Sequence, residues 1–246
     1  MVATFDDIRL IGPPAADGEY FALGEHGGHE VVHLHDYRRI YAVPGLYEHV
    51  VQERLGCRSP QVAAEGFLRA ATRLGMEPRS MAVLDVGSGT GLVGELVRGG
   101  GVGRVVGVDA LVEGRMACLR DRPGVYADYL IGDLGSGSGA GAGALAAQLR
   151  QYALSGLISA GAFGGTHAPL AALINALAVL PAGAPVAVTI DERWMGRSDP
   201  DGFGAAIERL VERGDLVLME RERFQHRVTT TGEPIFYELV VATAGG

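Results

Sequence analysis

The sequence predicts an α/β fold, a doubly wound sheet with an antiparallel C-terminal hairpin. Three observations carry this. From Ser59 onward, short apolar runs alternate with helical patterns, giving five strand–helix steps. The first of these runs ends in closely spaced glycines. Two longer β-rich runs then follow, joined by a turn at Thr230–Pro234.

Each element has its own reason. Ser59–Met76 reads as a helix, with Ser59 as N-cap, Pro60 at the first helical position, and apolar Val62, Ala63, Phe67, Leu68, Ala71 and Leu74 near helical spacing. Met81–Gly91 is a buried strand feeding a tight turn, and Leu92–Gly100 continues as helix. Arg104–Ala110 is the second strand, and Leu111–Arg122 a helix weakened by Gly114. Val125–Leu134 holds a third strand ending at Asp133, and Gly135–Gly143 reads as a flexible loop. Tyr152–Phe163 is strand four, Ala168–Leu180 a helix, and Ala184–Trp194 strand five. Asp199–Gly214 is a helix with Asp199 or Asp201 near its start. Leu216–Thr230 and Pro234–Ala244 form the hairpin, and the charged run Arg221–Arg227 reads as a solvated strand edge.

Residues 1 to about 60 read as irregular, turn-rich and then aromatic. The chain divides into an N-terminal segment, residues 1–58, and a larger unit, residues 59–246.

Composition narrows the functions. Net charge is −8, which argues against nucleic acid and against an anionic membrane surface as partners. Only Cys57 and Cys118 are present, without the spacing of a disulfide framework or a cysteine-ligated zinc. All 21 basic residues are arginine, so lysine Schiff-base, lysine-nucleophile and P-loop chemistry are excluded. No signal pattern opens the chain, and prolines interrupt the apolar run Leu170–Ile190, so the expected address is cytoplasmic. Oligomeric state is open, a homodimer included.

The most informative segment is Val83–Glu95, VLDVGSGTGLVGE. Asp85 lies inside the strand, and Gly87, Gly89 and Gly91 follow as GxGxG, with Ser88 between the first two. Glycines there allow positive φ and close ligand approach, and the helix beyond offers free N–H groups. Asp109 ends the next strand, where an acid can accept hydrogen bonds from ribose hydroxyls. A nucleoside-containing cofactor is expected. A dinucleotide would call for GxGxxG, and here Leu92 occupies the last slot.

The segment Asp85–Gly91 resembles the hallmark motif of the class I S-adenosylmethionine-dependent methyltransferases, and the resemblance covers roughly residues 60–246. It implies a Rossmann-like seven-stranded sheet and S-adenosyl-L-methionine as cofactor. The Asp85–Gly91 loop would hold the cofactor's amino-acid moiety. Asp109 would bind the ribose, with Ala110 beside the adenine. Asp133 and Leu134 would lie near the adenine amino group, and Ala160 and Gly161 at the methionine end. The opening is similar to a small-molecule subgroup in which a tyrosine-rich helix caps the cofactor. Tyr37, Tyr41 and Tyr47 suit such a lid, with Tyr41 a cofactor contact.

Methyl transfer usually requires a base of near-neutral pKa, so histidines are the catalytic candidates. His167 follows strand four. His33 and His35 belong to a cluster with His26 and His29, where Glu30 or Asp36 could complete a metal site; none is assigned. The expected activity is methyl transfer to an O, N or C nucleophile of a small molecule, in natural-product tailoring. The alternatives are a non-methylating reaction on the same fold and cofactor, a passive nucleoside binder, or an NAD oxidoreductase. Asp191, Glu192 and Trp194, after strand five, could shape the substrate pocket.

Overall fold

A computed structural model describes residues 5, 8–12, 18–25, 28–135, 140–164, 167–196 and 202–246. Strands β4 (Ala82–Val86), β5 (Arg104–Asp109), β6 (Asp128–Ile131), β7 (Gly156–Phe163), β8 (Pro185–Asp191), β9 (Leu216–Val228) and β10 (Pro234–Ala244) form one sheet in the order β6-β5-β4-β7-β8-β10-β9. The first five are mutually parallel, and β10 runs antiparallel to both β8 and β9. Every residue of β4 and β8 is buried, which is why these strands read as mainly apolar runs, interrupted only by Asp85 in β4 and by Thr189 and Asp191 in β8.

The chain leaves β4 for β5 and β6 on one side and returns to β7 and β8 on the other. The carboxyl ends of β4 and β7 therefore flank a topological switch point, where such sheets bind ligands. Helices α2 (Ser59–Arg73), α3 (Leu92–Gly99), α4 (Val112–Asp121), α5 (Ala140–Leu149), α6 (Leu170–Leu177) and α7 (Phe203–Glu212) connect the strands. Leu84, Val106, Leu157, Leu173, Val188 and Ile207 centre the core on one face; Phe67, Val83, Val97, Ile158 and Leu239 centre it on the other.

Four expectations change. Residues before α2 are not irregular. They form a three-stranded antiparallel sheet, β1 (Arg9–Ile11), β2 (Tyr20–Glu25) and β3 (Gly28–His33), then helix α1 (Tyr37–Ala42) and a π-helical segment, Glu48–Arg54. Phe21, Val32, Ile40, Leu46, Val50 and Leu55 give this segment its own apolar cluster, which reaches Ala117 of α4. Ser59 does not cap α2: the cap position is Arg58, Pro60 is second in the helix, and Ser59 Oγ lies 2.6 Å from His226 Nδ1. The glycine-rich stretch is not loop throughout, because α5 begins at Ala140; residues 136–139 lie outside the described residues, as do Asp199 and Asp201. The run Arg221–Arg227 sits on an edge strand, but Phe224, His226 and Arg227 are buried there. Arg227 Nη1 donates 2.8 Å to Glu19 Oε1 ahead of β2.

Among the described residues no helix is long and apolar enough to cross a membrane. The run Leu170–Ile190 resolves into α6, a turn and β8.

Candidate functional site

The turn after β4 is built by three glycines at positive φ, +73° at Gly87, +47° at Gly89 and +90° at Gly91. A side chain at Gly87 would place its Cβ 2.2 Å from Ala162 Cβ, so only glycine lets this turn lie against β7. Gly91 stands at the N-cap of α3. Ser88 points inward, donating from Oγ to the Asp85 carbonyl at 2.8 Å.

Two acids organise the turn. Asp109 Oδ2 accepts from Gly89 N at 2.9 Å, and Oδ1 from Leu111 N at 2.8 Å. It thus ties the glycine turn to the end of β5, and each oxygen keeps a lone pair for another donor. Burial raises the Asp109 carboxyl pKa above its ordinary value, against the lowering effect of these N–H bonds. Asp85 is wholly buried behind the turn. Burial pushes its carboxyl up to about 7, despite a 2.6 Å bond donated by the Tyr126 hydroxyl; the Asp109 charge adds to the rise. Asp85 Oδ1 has no hydrogen-bond partner among the described residues.

A cavity of about 430 Å3 opens over the carboxyl ends of β4 to β7. Its size falls within the usual small-molecule range. Val86, Gly87, Val108–Leu111, Gly132–Leu134 and Ala160–Ala162 form its floor. His35, Tyr37, Tyr41 and Tyr47 close it from the N-terminal segment, and His167–Pro169 and Ala172 from the start of α6.

The closing segment is fastened to the turn it covers. A Cβ at Gly89 would lie 2.8 Å from the Tyr41 hydroxyl. Thr90 Oγ1 donates 2.6 Å to Glu48 Oε1, and Arg122 Nη1 reaches the same oxygen at 2.7 Å. Arg120 Nη1 donates to the Tyr41 carbonyl at 3.0 Å. Burial raises the Tyr37, Tyr41 and Tyr47 phenols far above their ordinary range, so they stay protonated donors.

The histidines meet across the two halves. The rings of His35 and His167 stand 5.3 Å apart edge to face, and His33 is 5.3 Å from His35 on the other side. His35 N donates to His33 Nδ1 at 3.1 Å. The His35 pKa falls to about 4, chiefly through crowding by protein and then through the charges of His167, Arg227 and His33, although the side chain keeps an open face. Burial lowers that of His167, while Asp191 opposes the shift. Both imidazoles are therefore neutral at pH 7. Among the described residues no cluster of three or more His, Cys, Asp or Glu side chains forms a metal site; His29 is exposed and His26 lies outside those residues.

The expected residues thus divide. Gly87, Asp109, Ala110, Asp133, Leu134, Ala160, Gly161, Tyr41, His35 and His167 line the cavity. Asp85, Ser88, Gly89, Gly91 and His33 stand behind or beside it. Asp191 ends β8 buried, held by a two-pronged contact with Arg193 at 3.0 Å, while Trp194 is largely exposed beside Gly164. Sequence reasoning missed Tyr237, whose ring stacks on His226 with centroids 3.8 Å apart and comes within 3.8 Å of a Cβ placed on Gly161. Burial, then the Arg227 charge, brings His226 down to about 3.

No protein-family model matches the sequence, and no curated protein matches it. Solved structures do. A putative RNA methyltransferase from Pyrococcus horikoshii is 18% identical, with TM-score 0.51, over 77% of this chain and 88% of that one. The N-methyltransferase NodS from Bradyrhizobium japonicum, in complex with S-adenosyl-L-homocysteine, is 13% identical, with TM-score 0.50, over 85% and 96%. A chain of the complex between the Haloferax volcanii Trm112 methyltransferase activator and the putative methyltransferase is 14% identical, with TM-score 0.54, over 86% and 98%. With the strand order and the glycine turn, these likenesses identify the fold as that of the class I S-adenosylmethionine-dependent methyltransferases.

Proposed function

We propose that the protein is an S-adenosyl-L-methionine-dependent methyltransferase acting on a small molecule. The observation that carries this is the cavity at the switch point, floored by the Gly87 turn and edged by Asp109. The residues fit the cofactor. A turn where a Cβ would strike Ala162 leaves backbone exposed to a ligand, and Asp109 retains accepting lone pairs for ribose hydroxyls. Asp133 and Leu134 suit the adenine, and Ala160 and Gly161 the methionine end. When bound, S-adenosyl-L-methionine supplies a methyl group on a positively charged sulfur.

This chain's own residues supply alignment, exclusion of water and a proton acceptor. Residues 1–58 act as the lid, with Tyr37, Tyr41 and Tyr47 as its dry inner surface. His167 and His35, both neutral at pH 7, accept the proton that the acceptor loses at a free imidazole nitrogen. His33 Nδ1 accepts from the backbone N–H of His35 and so fixes the chain from which that imidazole projects. The net charge of −8 supports a small-molecule acceptor over nucleic acid.

The test is calorimetric titration of S-adenosyl-L-homocysteine into chelator-treated protein, repeated with NAD. Binding of the first and not the second is the expected result. Binding of NAD alone would transfer the protein to the oxidoreductases.

A further inference from the structure

Next to the cofactor cavity lies a second, of about 420 Å3. Three parts of the chain that are remote in sequence wall it: Gly18 and Glu19 ahead of β2, Asp191–Arg193 after β8, and the β9–β10 hairpin through Thr229 and Glu233–Phe236. His35 lines both cavities and is the wall they share. His167, its ring 5.3 Å from that of His35, stands on the cofactor side.

The second cavity has a definite chemical character. Pro234, Ile235 and Phe236 give it an apolar wall. The Phe236 ring is held by Arg223, 3.6 Å from its centroid, and Arg223 Nε is fixed in turn 2.6 Å from Glu192 Oε2. Its charges are mostly negative: Glu19, Asp191, Glu192 and Glu233 against Arg193 alone. Glu19 pairs with Arg227, Asp191 with Arg193 and Glu192 with Arg223. Glu233 has no cationic partner among the described residues. Three of the four are thus neutralised and Glu233 keeps the uncompensated charge, so an anion brought here would meet that charge, whereas a cation would complete it. His35, neutral at pH 7, does not oppose it.

We propose that this second cavity is the acceptor subsite, and that it takes a small organic amine with an aromatic or aliphatic body. The inference rests on the methyl-transfer reading above. It assigns the nucleophile to nitrogen, delivered from the His35 side of the cofactor cavity: the ammonium first gives one N–H proton to an imidazole, His35 or His167, and the freed lone pair then forms the N–CH3 bond as the S–CH3 bond breaks, leaving S-adenosyl-L-homocysteine.

The experiment uses full-length protein first titrated with S-adenosyl-L-homocysteine, then kept saturated with it. Three probes of one shape follow: tyramine, its alcohol tyrosol and its acid 4-hydroxyphenylacetate, with affinities read by ligand-observed NMR. We expect tyramine to bind roughly threefold tighter than tyrosol, as one solvent-exposed charge contact provides, and the acid to bind weakest. E233Q should erase the tyramine preference and leave tyrosol unchanged. Ile235→Trp should abolish binding of both while S-adenosyl-L-homocysteine affinity holds. Equal or tighter binding of the alcohol or the acid would overturn the proposal. So would tyramine binding untouched by both variants, or no probe binding at millimolar concentration. Failure of the first titration overturns the methyl-transfer reading, and the amine assignment with it; success there followed by failure of the probes overturns the amine assignment alone.

Discussion

Asp85→Asn tests the buried carboxyl behind the glycine turn. In the folded protein burial raises the Asp85 carboxyl to about 7 from an ordinary 3.8. A raised carboxyl contributes no penalty below pH 3.8, where both folded and unfolded forms are protonated. The penalty grows as pH rises, because the unfolded chain ionises first, and it is complete above pH 7. The gap is about three units, and each is about 1.4 kcal/mol, so ionisation costs the fold about 4 kcal/mol as a ceiling. Asparagine has nearly the shape of the protonated acid and does not ionise. Its amide carries a fixed cost or gain of its own, but that term does not vary with pH. The assay is urea unfolding of both proteins from pH 4 to pH 8. Stability of the variant minus that of the parent should rise over this window by up to about 4 kcal/mol. The histidines, identical in both proteins, drop out of the difference. A difference that stays flat, or falls with pH, would show that Asp85 is ionised at ordinary cost and that Tyr126 suffices to solvate it.

Three further outcomes are expected. Asp109→Ala removes the acceptor offered to a ribose, at about 1.5–3 kcal/mol for a charged hydrogen bond, so S-adenosyl-L-homocysteine affinity should fall roughly ten- to hundredfold; unchanged affinity would end the ribose assignment. His167→Ala should lower turnover far more than cofactor affinity and shift the acid limb of the pH–rate profile, and equal turnover would remove it from the mechanism. Arg122→Ala strips Glu48 of its cation, with side-chain exposures of 11% and 19%. Discounted for that exposure, the loss is about 2 kcal/mol, and S-adenosyl-L-homocysteine should dissociate faster as the segment over the cavity loosens; an unchanged release rate would show the clip to be structural only.

What the sequence made legible was local. Gly87, Gly89 and Gly91 announce a turn because positive φ leaves few alternatives to glycine, and β4 and β8 announce themselves as mainly apolar runs. Of the N-terminal sheet only a short strand or extended flap at Glu30–Tyr37 was legible, which overlaps β3; β1, β2 and their pairing were not. β3 has one buried residue, Val32, with His33 half-buried and the rest exposed, so the alternation that marks a half-buried strand is weak. Ser59 was misassigned because a helix cap and a histidine partner demand the same hydroxyl, and only the long-range approach of His226 decides between them. The charged run on β9 hid a buried residue because Arg227 is compensated by Glu19, which no local pattern connects to it. For the candidate site, residues at strand ends could be numbered in advance, but which of them face the cavity could not. Asp85 and Gly91 share a motif with Gly87, yet only Gly87 reaches the lining.

The pairing of Glu19 with Arg227 spans 208 residues, and it is reinforced by Val228 N on the Leu55 carbonyl and Arg58 N on that of His226. During synthesis the segment that roofs the site therefore emerges early and waits. Its permanent partner is the β9–β10 hairpin, made about two hundred residues later. The entropy of closing so long a loop is modest, because it grows only with the logarithm of length, but contacts of such separation form late. Until then the apolar cluster of Phe21, Val32 and Ile40 lacks the side that Val228 of the hairpin covers. A growing chain would carry the residues of the glycine turn beneath an unfinished roof until the β9–β10 hairpin has been made.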